Sequence, residues 1–133
     1  MKAMIVATLL AVAALAVLSL ASGTNHLEAA LPGGLPLGNF LSALAPSAIA
    51  AAAVLLSFPR TALWVVSWTS LVAAIAWLPG SIFLAGNLEL NFSGWRGSVW
   101  LVYTIAVAVL ALGSFVWALV ASLLALRRRA GAA

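Results

Sequence analysis

The stretch SVWLVYTIAVAVLALGSFVWALVASLLAL, residues 98–126, contains no charged side chain and is followed directly by the arginines 127–129. An α-helix rises about 1.5 Å per residue, so roughly 20 apolar residues cross the ~30 Å hydrocarbon core of a bilayer. Residues 98–126 exceed that length, and they end at side chains that are costly to place in hydrocarbon. The stretch therefore predicts a membrane-spanning helix that stops at its arginines.

Three similar apolar stretches precede this one along the chain. They lie at about residues 3–21, 40–58 and 62–84. Because a chain in lipid must satisfy its own backbone hydrogen bonds, such stretches are viable as packed helices. The sequence predicts an all-α membrane protein, a single domain over residues 1–133 that folds as an antiparallel four-helix transmembrane bundle.

The connections are marked by glycine, proline and polar residues. A Gly- and Pro-rich loop is predicted at 22–39, a tight break at Pro59-Arg60 and a polar loop at 86–97. Thr61 is placed to cap the third helix with its hydroxyl. The first stretch also resembles a secretory signal, but its apolar run exceeds the roughly 7–15 residues of a signal core, so we expect a retained helix.

Composition excludes several classes of protein. The chain is 66% hydrophobic and 6% charged, with a mean hydropathy of +1.24, whereas soluble domains carry about 25% charged residues. Its net charge of +4 is spread over isolated positions and the terminal arginines, so no basic face for nucleic acid is predicted. The absence of cysteine excludes disulfides, thiolate metal sites and a lipoprotein anchor.

Charge asymmetry predicts the orientation. With four spans, Lys2, Arg60 and the arginines 127–129 fall on one side of the membrane. Both carboxylates, His26 and Arg96 fall on the other. Because Lys and Arg concentrate in cytoplasmic segments, both termini are predicted to be cytoplasmic. The alanine-rich composition suggests a bacterial source, and hence a multi-pass protein of the inner membrane.

The tryptophan positions agree with the predicted orientation of the four spans. Indole rings favour the headgroup level, so Trp77, Trp95 and Trp100 are expected near the outer interface and Trp64 near the inner one. Trp117 lies about 15 Å from the terminal arginines and thus near mid-bilayer. It is either a packing or lipid-facing ring, or an anchor for a partner, a lipid or a quinone.

The interiors of the spans contain no charged residue and no histidine, and this absence narrows the possible chemistry. Functional membrane sites usually depend on such groups. Small four-helix multidrug transporters need an embedded glutamate in the first helix, and haem bundles need facing histidines. Neither is present, so no catalytic residue, metal or cofactor is predicted.

The remaining polar chemistry is confined to the two loops predicted on the outer side. A candidate outer-loop cluster comprises His26, Glu28, Glu89 and Arg96. If folding brought Glu89 beside the first pair, the group could act as an acid–base or metal pair. The alternative is a hydrated loop surface.

Small residues recur at helical spacing on three of the spans. These stripes are Ala3, Ala7 and Ala11; Ala43, Ser47 and Ala51; and Ser114, Ala118 and Ser122. Close backbone approach at small residues drives helix association in lipid. The stripes either close the bundle itself or dock a neighbouring protein, and small residues nearly all around the second span favour a partner. Pro46 and Pro79 predict kinks that could open a shallow outward cavity, and Pro79-Gly80 leaves open whether the third span ends as a helix or as an unwound or re-entrant piece.

These features favour a non-catalytic accessory or adaptor subunit of a larger inner-membrane complex. A transport or lipid-handling machine is the first choice of parent complex, and a respiratory complex is an alternative. Its predicted partners are other membrane subunits and bilayer lipid. Two other interpretations remain: a small homo-oligomeric transporter or pore, and an enzyme that acts on lipid through the outer-loop cluster.

Overall fold

A computed structural model of the chain describes residues 1–23, 26–85 and 94–131, except the side chains of residues 85 and 129. Across these ranges the chain forms four helices and no strand. The helices are α1 (Lys2–Ala21), α2 (Leu37–Leu56), α3 (Ala62–Ala85) and α4 (Trp95–Ala130). By length and composition each is able to cross a membrane. The prediction of an all-α chain with four membrane-length helices is therefore confirmed.

The start of α2 differs from the prediction, because the helix begins at Leu37 rather than at residue 40. The Gly- and Pro-rich segment folds back, with Leu31 N–H donating to the Leu35 carbonyl at 2.8 Å. This turn places two loop carbonyls next to the N-terminus of α2. Leu37 N–H donates to Ala29 O, and Gly38 N–H donates to Leu27 O, both at 2.9 Å. These bonds satisfy donors that have no partner within a helix.

The break between α2 and α3 follows the prediction. Trp64 N–H donates to Thr61 Oγ1 at 3.2 Å, so Thr61 does cap α3, and its own hydroxyl donates to Phe58 O at 2.7 Å. Arg60 adopts a φ of 64°, a left-handed conformation that reverses the chain within a few residues.

The end of the third span is helical and not unwound, since α3 continues through Pro79 and Gly80 to Ala85. Close packing against α4 accompanies this continuity. A Cβ atom at Gly80 would lie 3.0 Å from Cε1 of Tyr103, so glycine allows the tyrosine ring to lie directly on the helix. The fourth helix is also longer than predicted, 95–130 rather than 98–126, and includes its flanking arginines.

The second helix is the centre of the fold. In the described part of the chain α2 packs against α1, α3 and α4, whereas α1 packs against α2 alone. Every residue from 41 to 56 is buried or half-buried. Ala50, Ala52 and Ala53 have no exposed surface, because side chains this small let neighbouring backbones approach closely. The small residues all around α2 are thus occupied by the chain's own helices.

Two buried clusters show which helix ends meet. One contains Ala43 of α2, Ala74 and Trp77 of α3, and Trp100 and Val107 of α4. The other contains Ala53 of α2, Leu63 of α3 and Ala118 of α4. The start of α2 therefore lies beside the later part of α3 and the start of α4, and its end lies beside the start of α3 and the later part of α4.

Ala118 provides a direct test of this packing. It has no exposed surface, so Ala118→Leu should overpack the contact and lower the free energy of unfolding by about 1–3 kcal/mol. Ala106 is an exposed alanine on the same helix, and Ala106→Leu should change stability by less than about 0.5 kcal/mol. Unfolding of the two variants in the same detergent measures the difference. Equal stability would contradict this position for Ala118.

Candidate functional site

The outer-loop residues do not form one site in the described part of the chain. His26 Nε2 lies 3.3 Å from Ser19 Oγ and 3.2 Å from the Ser19 carbonyl, so it ties the loop to the end of α1. Glu28 is exposed. Glu89 lies outside the described residues. The Arg96 guanidinium carbon lies 5.7 Å from the ring centre of Phe83, within the range of a cation–π contact.

Metal ligation has no support among the described side chains. These residues contain no group of three or more His, Cys, Asp or Glu side chains able to hold a metal ion. The described members of the cluster instead have separate neighbours: Ser19 for His26, and aromatic rings for Arg96. The acid–base interpretation of the cluster depends on Glu89 and stays a prediction.

The candidate docking residues on α2 and α4 make contacts within the chain. Ala43, Ser114 and Ala118 are buried. Ser122 Oγ donates to the Leu56 carbonyl at 3.0 Å, which joins the end of α4 to the end of α2. Ser47 and Ala51 are half-buried. These contacts favour bundle closure, one of the two interpretations of the stripes, and docking of a partner by them stays a prediction.

The small-residue stripe on α1 has different surroundings. Ala3, Ala7 and Ala11 are all exposed, whereas Ala13 and Ala16 are the buried residues of this helix. Residues three or four apart share one helix face. The three exposed alanines therefore form a continuous face, here called the alanine face, which is not covered by α2.

A groove runs between α1 and α4, because both helices lie against α2 without lying against each other. Its middle section has a volume of about 500 Å³, with Leu10 and Val17 on one wall, Leu112 and Phe115 on the other, and Ile49 of α2 at its base. The lining is almost entirely hydrocarbon. We call this feature the α1–α4 groove.

The groove has a distinct section at each end. The basic section, about 450 Å³, is lined by Lys2, Phe58 and Leu126 among others. The tryptophan section, about 290 Å³, is lined by Trp77 and Trp100 and shares Val17 with the middle section. The basic section shares no lining residue with the middle section and lies about one helical turn nearer to Lys2 along α1, between the same two helices.

The two indoles of the tryptophan section are held by hydroxyl groups. Trp77 Nε1 donates to Thr104 Oγ1 at 2.8 Å, and Thr104 Oγ1 donates to the Trp100 carbonyl at 2.8 Å. Trp100 Nε1 donates to Ser81 Oγ at 2.8 Å. With their N–H groups engaged, the indoles can present ring carbons to a ligand.

Proline contributes polarity to the same section. Pro46 and Ser42 both line it. Because proline has no N–H, the Ser42 carbonyl four residues earlier lacks its usual helical donor.

The sequence predicted a kink at Pro46 but did not predict the pairing of the two tryptophans. Trp77 and Trp100 are 2% and 7% exposed because they pack between helices, and their expected location near the outer membrane interface stays a prediction.

The described lining of the groove is rich in apolar groups and poor in polar ones. Its lining offers hydrocarbon, indole rings, hydroxyls and one ammonium group, and none of these sections contains a carboxylate, imidazole or thiol. No family model matches the chain, and no curated protein or solved structure matches it.

The hydrogen bond between Trp77 and Thr104 can be measured. Thr104→Val removes the acceptor of the indole N–H, and we expect a loss of about 0.6–1.7 kcal/mol of stability, the range for such bonds between helices in lipid. Thr69 is exposed, and its hydroxyl bonds within its own helix, so Thr69→Val is the matched control. A double-mutant cycle with Trp77→Phe isolates the pair. A coupling energy of zero would contradict the bond.

Proposed function

We propose that this protein is a non-catalytic accessory subunit of a larger bacterial inner-membrane complex, of the transport or lipid-handling kind, and that it docks through the alanine face of α1. The observation that carries the proposal is the position of α1. This helix packs against one neighbour, α2, in the described chain, and Ala3, Ala7 and Ala11 are exposed.

The physics of helix packing in lipid supports a protein partner for this face. Lipid tails are as apolar as aliphatic side chains, so apolar surface alone does not drive helices together. Association comes from close contact at small residues, where many weak dispersion contacts add up. The chain uses this mode internally, since α2 packs through Ala50, Ala52 and Ala53. The alanine face offers the same surface to another helix.

Several features support a non-catalytic role. The interiors of the predicted spans contain no charged residue and no histidine, and the middle section of the α1–α4 groove is lined mainly by hydrocarbon. His26 is engaged by Ser19, and Arg96 lies over aromatic rings. These two side chains therefore anchor a loop and a helix end, as expected of a packing subunit.

We infer further that the helices span the inner membrane as an antiparallel bundle with both termini in the cytoplasm. Lys2, Phe58 and Leu126 line one section of the groove. The start of α1, the α2–α3 turn that carries Arg60 and the end of α4 are thus close together. Concentration of the Lys and Arg residues at one end supports a cytoplasmic location for that end.

Orientation can be tested by cysteine labelling, because the natural chain has no cysteine and each introduced thiol is unique. Glu28→Cys should react with a membrane-impermeant maleimide from the periplasmic side. Arg60→Cys, in the turn at the other end, should react only after the membrane is broken. Both positions are exposed, so access to reagent decides the result. The reverse pattern would refute the proposed orientation.

Docking can be tested by substitutions on the alanine face. Ala7→Leu and Ala11→Leu would hold the partner helix away from α1, and we expect recovery of the parent complex to fall at least about fivefold, which corresponds to roughly 1 kcal/mol. Insertion should survive, because leucine favours the helix centre by about 0.3–0.6 kcal/mol. The measurement is quantitative mass spectrometry of proteins recovered from native membranes in mild detergent.

Ala106→Leu on α4 is the matched control, since it makes the same change at another exposed alanine. It should leave recovery at the wild-type level. If the α1 variants also match the wild type, the alanine face does not dock a partner. If the wild type elutes alone as a homo-oligomer, the accessory-subunit proposal fails and the small-transporter interpretation replaces it.

A further inference from the structure

Ala3 belongs both to the alanine face and to the lining of the basic section, but docking at that face does not explain the rest of the α1–α4 groove. We propose that its basic and middle sections form a binding site for an anionic phospholipid. One acyl chain lies between α1 and α4, and the phosphate group lies at the end that carries Lys2. This proposal requires that the helices span a membrane, and it is independent of the proposed partner complex.

The size of the groove favours an acyl chain over a protein helix. The basic and middle sections have volumes of about 450 and 500 Å³. A helix about 10 Å wide and 30 Å long occupies roughly 2,400 Å³, far more than either section holds. A flexible hydrocarbon chain needs much less width and can follow the gap between two helices that both rest on α2.

The lining of the middle section matches a hydrocarbon ligand. Leu10 and Val17 of α1 face Leu112 and Phe115 of α4 across the groove, with Ile49 of α2 at its base. These walls offer dispersion contacts along the length of an acyl chain. They offer almost nothing to which a polar ligand could form hydrogen bonds.

The positive charges near the basic section indicate which end of the groove binds the head group. Lys2 and Leu126 line the basic section, and Arg127 follows Leu126 and is exposed. Phe58 lines the same section and lies two residues before the exposed Arg60. The one described carboxylate side chain, Glu28, is in the loop beyond the opposite end of α1. Lysine and arginine are the side chains that bind phosphate groups in proteins.

The length of the groove fits one leaflet. Half of the hydrocarbon core is about 15 Å thick, which corresponds to about ten residues of helix. Counted from Lys2, that distance reaches the middle section, where Leu10 and Ala13 lie. A phospholipid whose head group lies at Lys2 therefore ends its chain within the middle section and leaves the tryptophan section free.

The experiment uses the full-length chain purified in mild detergent, titrated with phosphatidylglycerol or phosphatidylcholine of matched acyl chains and read by native mass spectrometry. We expect phosphatidylglycerol to bind about tenfold more tightly, because its head group is anionic. Lys2→Gln combined with Arg127→Gln should remove most of this preference. Arg96→Gln neutralises a cation on α4 at the opposite end and should leave it unchanged.

A second pair of variants tests the groove itself. Ala14 is exposed and lines the middle section, so Ala14→Phe should fill it and weaken binding of both lipids at least about tenfold. Ala106 is exposed on α4 outside the groove lining, so Ala106→Phe should bind lipid as the wild type does. Equal affinities for the two lipids, or equal binding by the two phenylalanine variants, would overturn the proposal. Loss of the parent complex with lipid binding intact would bear on the accessory role alone.

Discussion

Close backbone approach at the small residues of α2 is the constraint on which the rest of the structure depends. If the helices span a membrane, as proposed, there is no hydrophobic gain from bringing them together, and the dense contacts between small residues must hold the fold. Ala50, Ala52 and Ala53 have no exposed surface because different helices approach α2 from different sides. A larger side chain at any of these positions would separate α2 from one of its neighbours.

The same constraint explains why α1 is peripheral. α3 and α4 are joined by indole and hydroxyl groups, as in the bond from Trp77 to Thr104, and Tyr103 lies directly over Gly80. α1 has no comparable polar contact with another helix in the described chain, and it meets the bundle through Ala13 and Ala16. Contact with α2 alone leaves both an uncovered alanine face and a groove beside α4.

Hydropathy was sufficient to predict the four helices and their approximate ends, since each span must be long, apolar and uncharged. The Thr61 cap was also predictable, because a hydroxyl after a proline break is a local signal. The early start of α2 was not, because it depends on loop carbonyls that reach Leu37 and Gly38 after the chain folds back. The tryptophan pairing was missed for a related reason: it requires the register between α3 and α4. Periodicity likewise could not say which small-residue stripes would be internal.

The alanine face and the α1–α4 groove share one helix, and this couples the two proposed roles. Ala7 and Ala11 belong to the face, while Leu10 and Ala14, in the same turns, line the groove. Because α1 has a single neighbour in the described chain, its position relative to α4 is held through α2 alone. An acyl chain in the groove would supply contacts on the α4 side and thereby restrict that position. A partner helix on the alanine face would then meet a surface whose ordering cost had already been met by the lipid, which is the condition for positive coupling between two ligands.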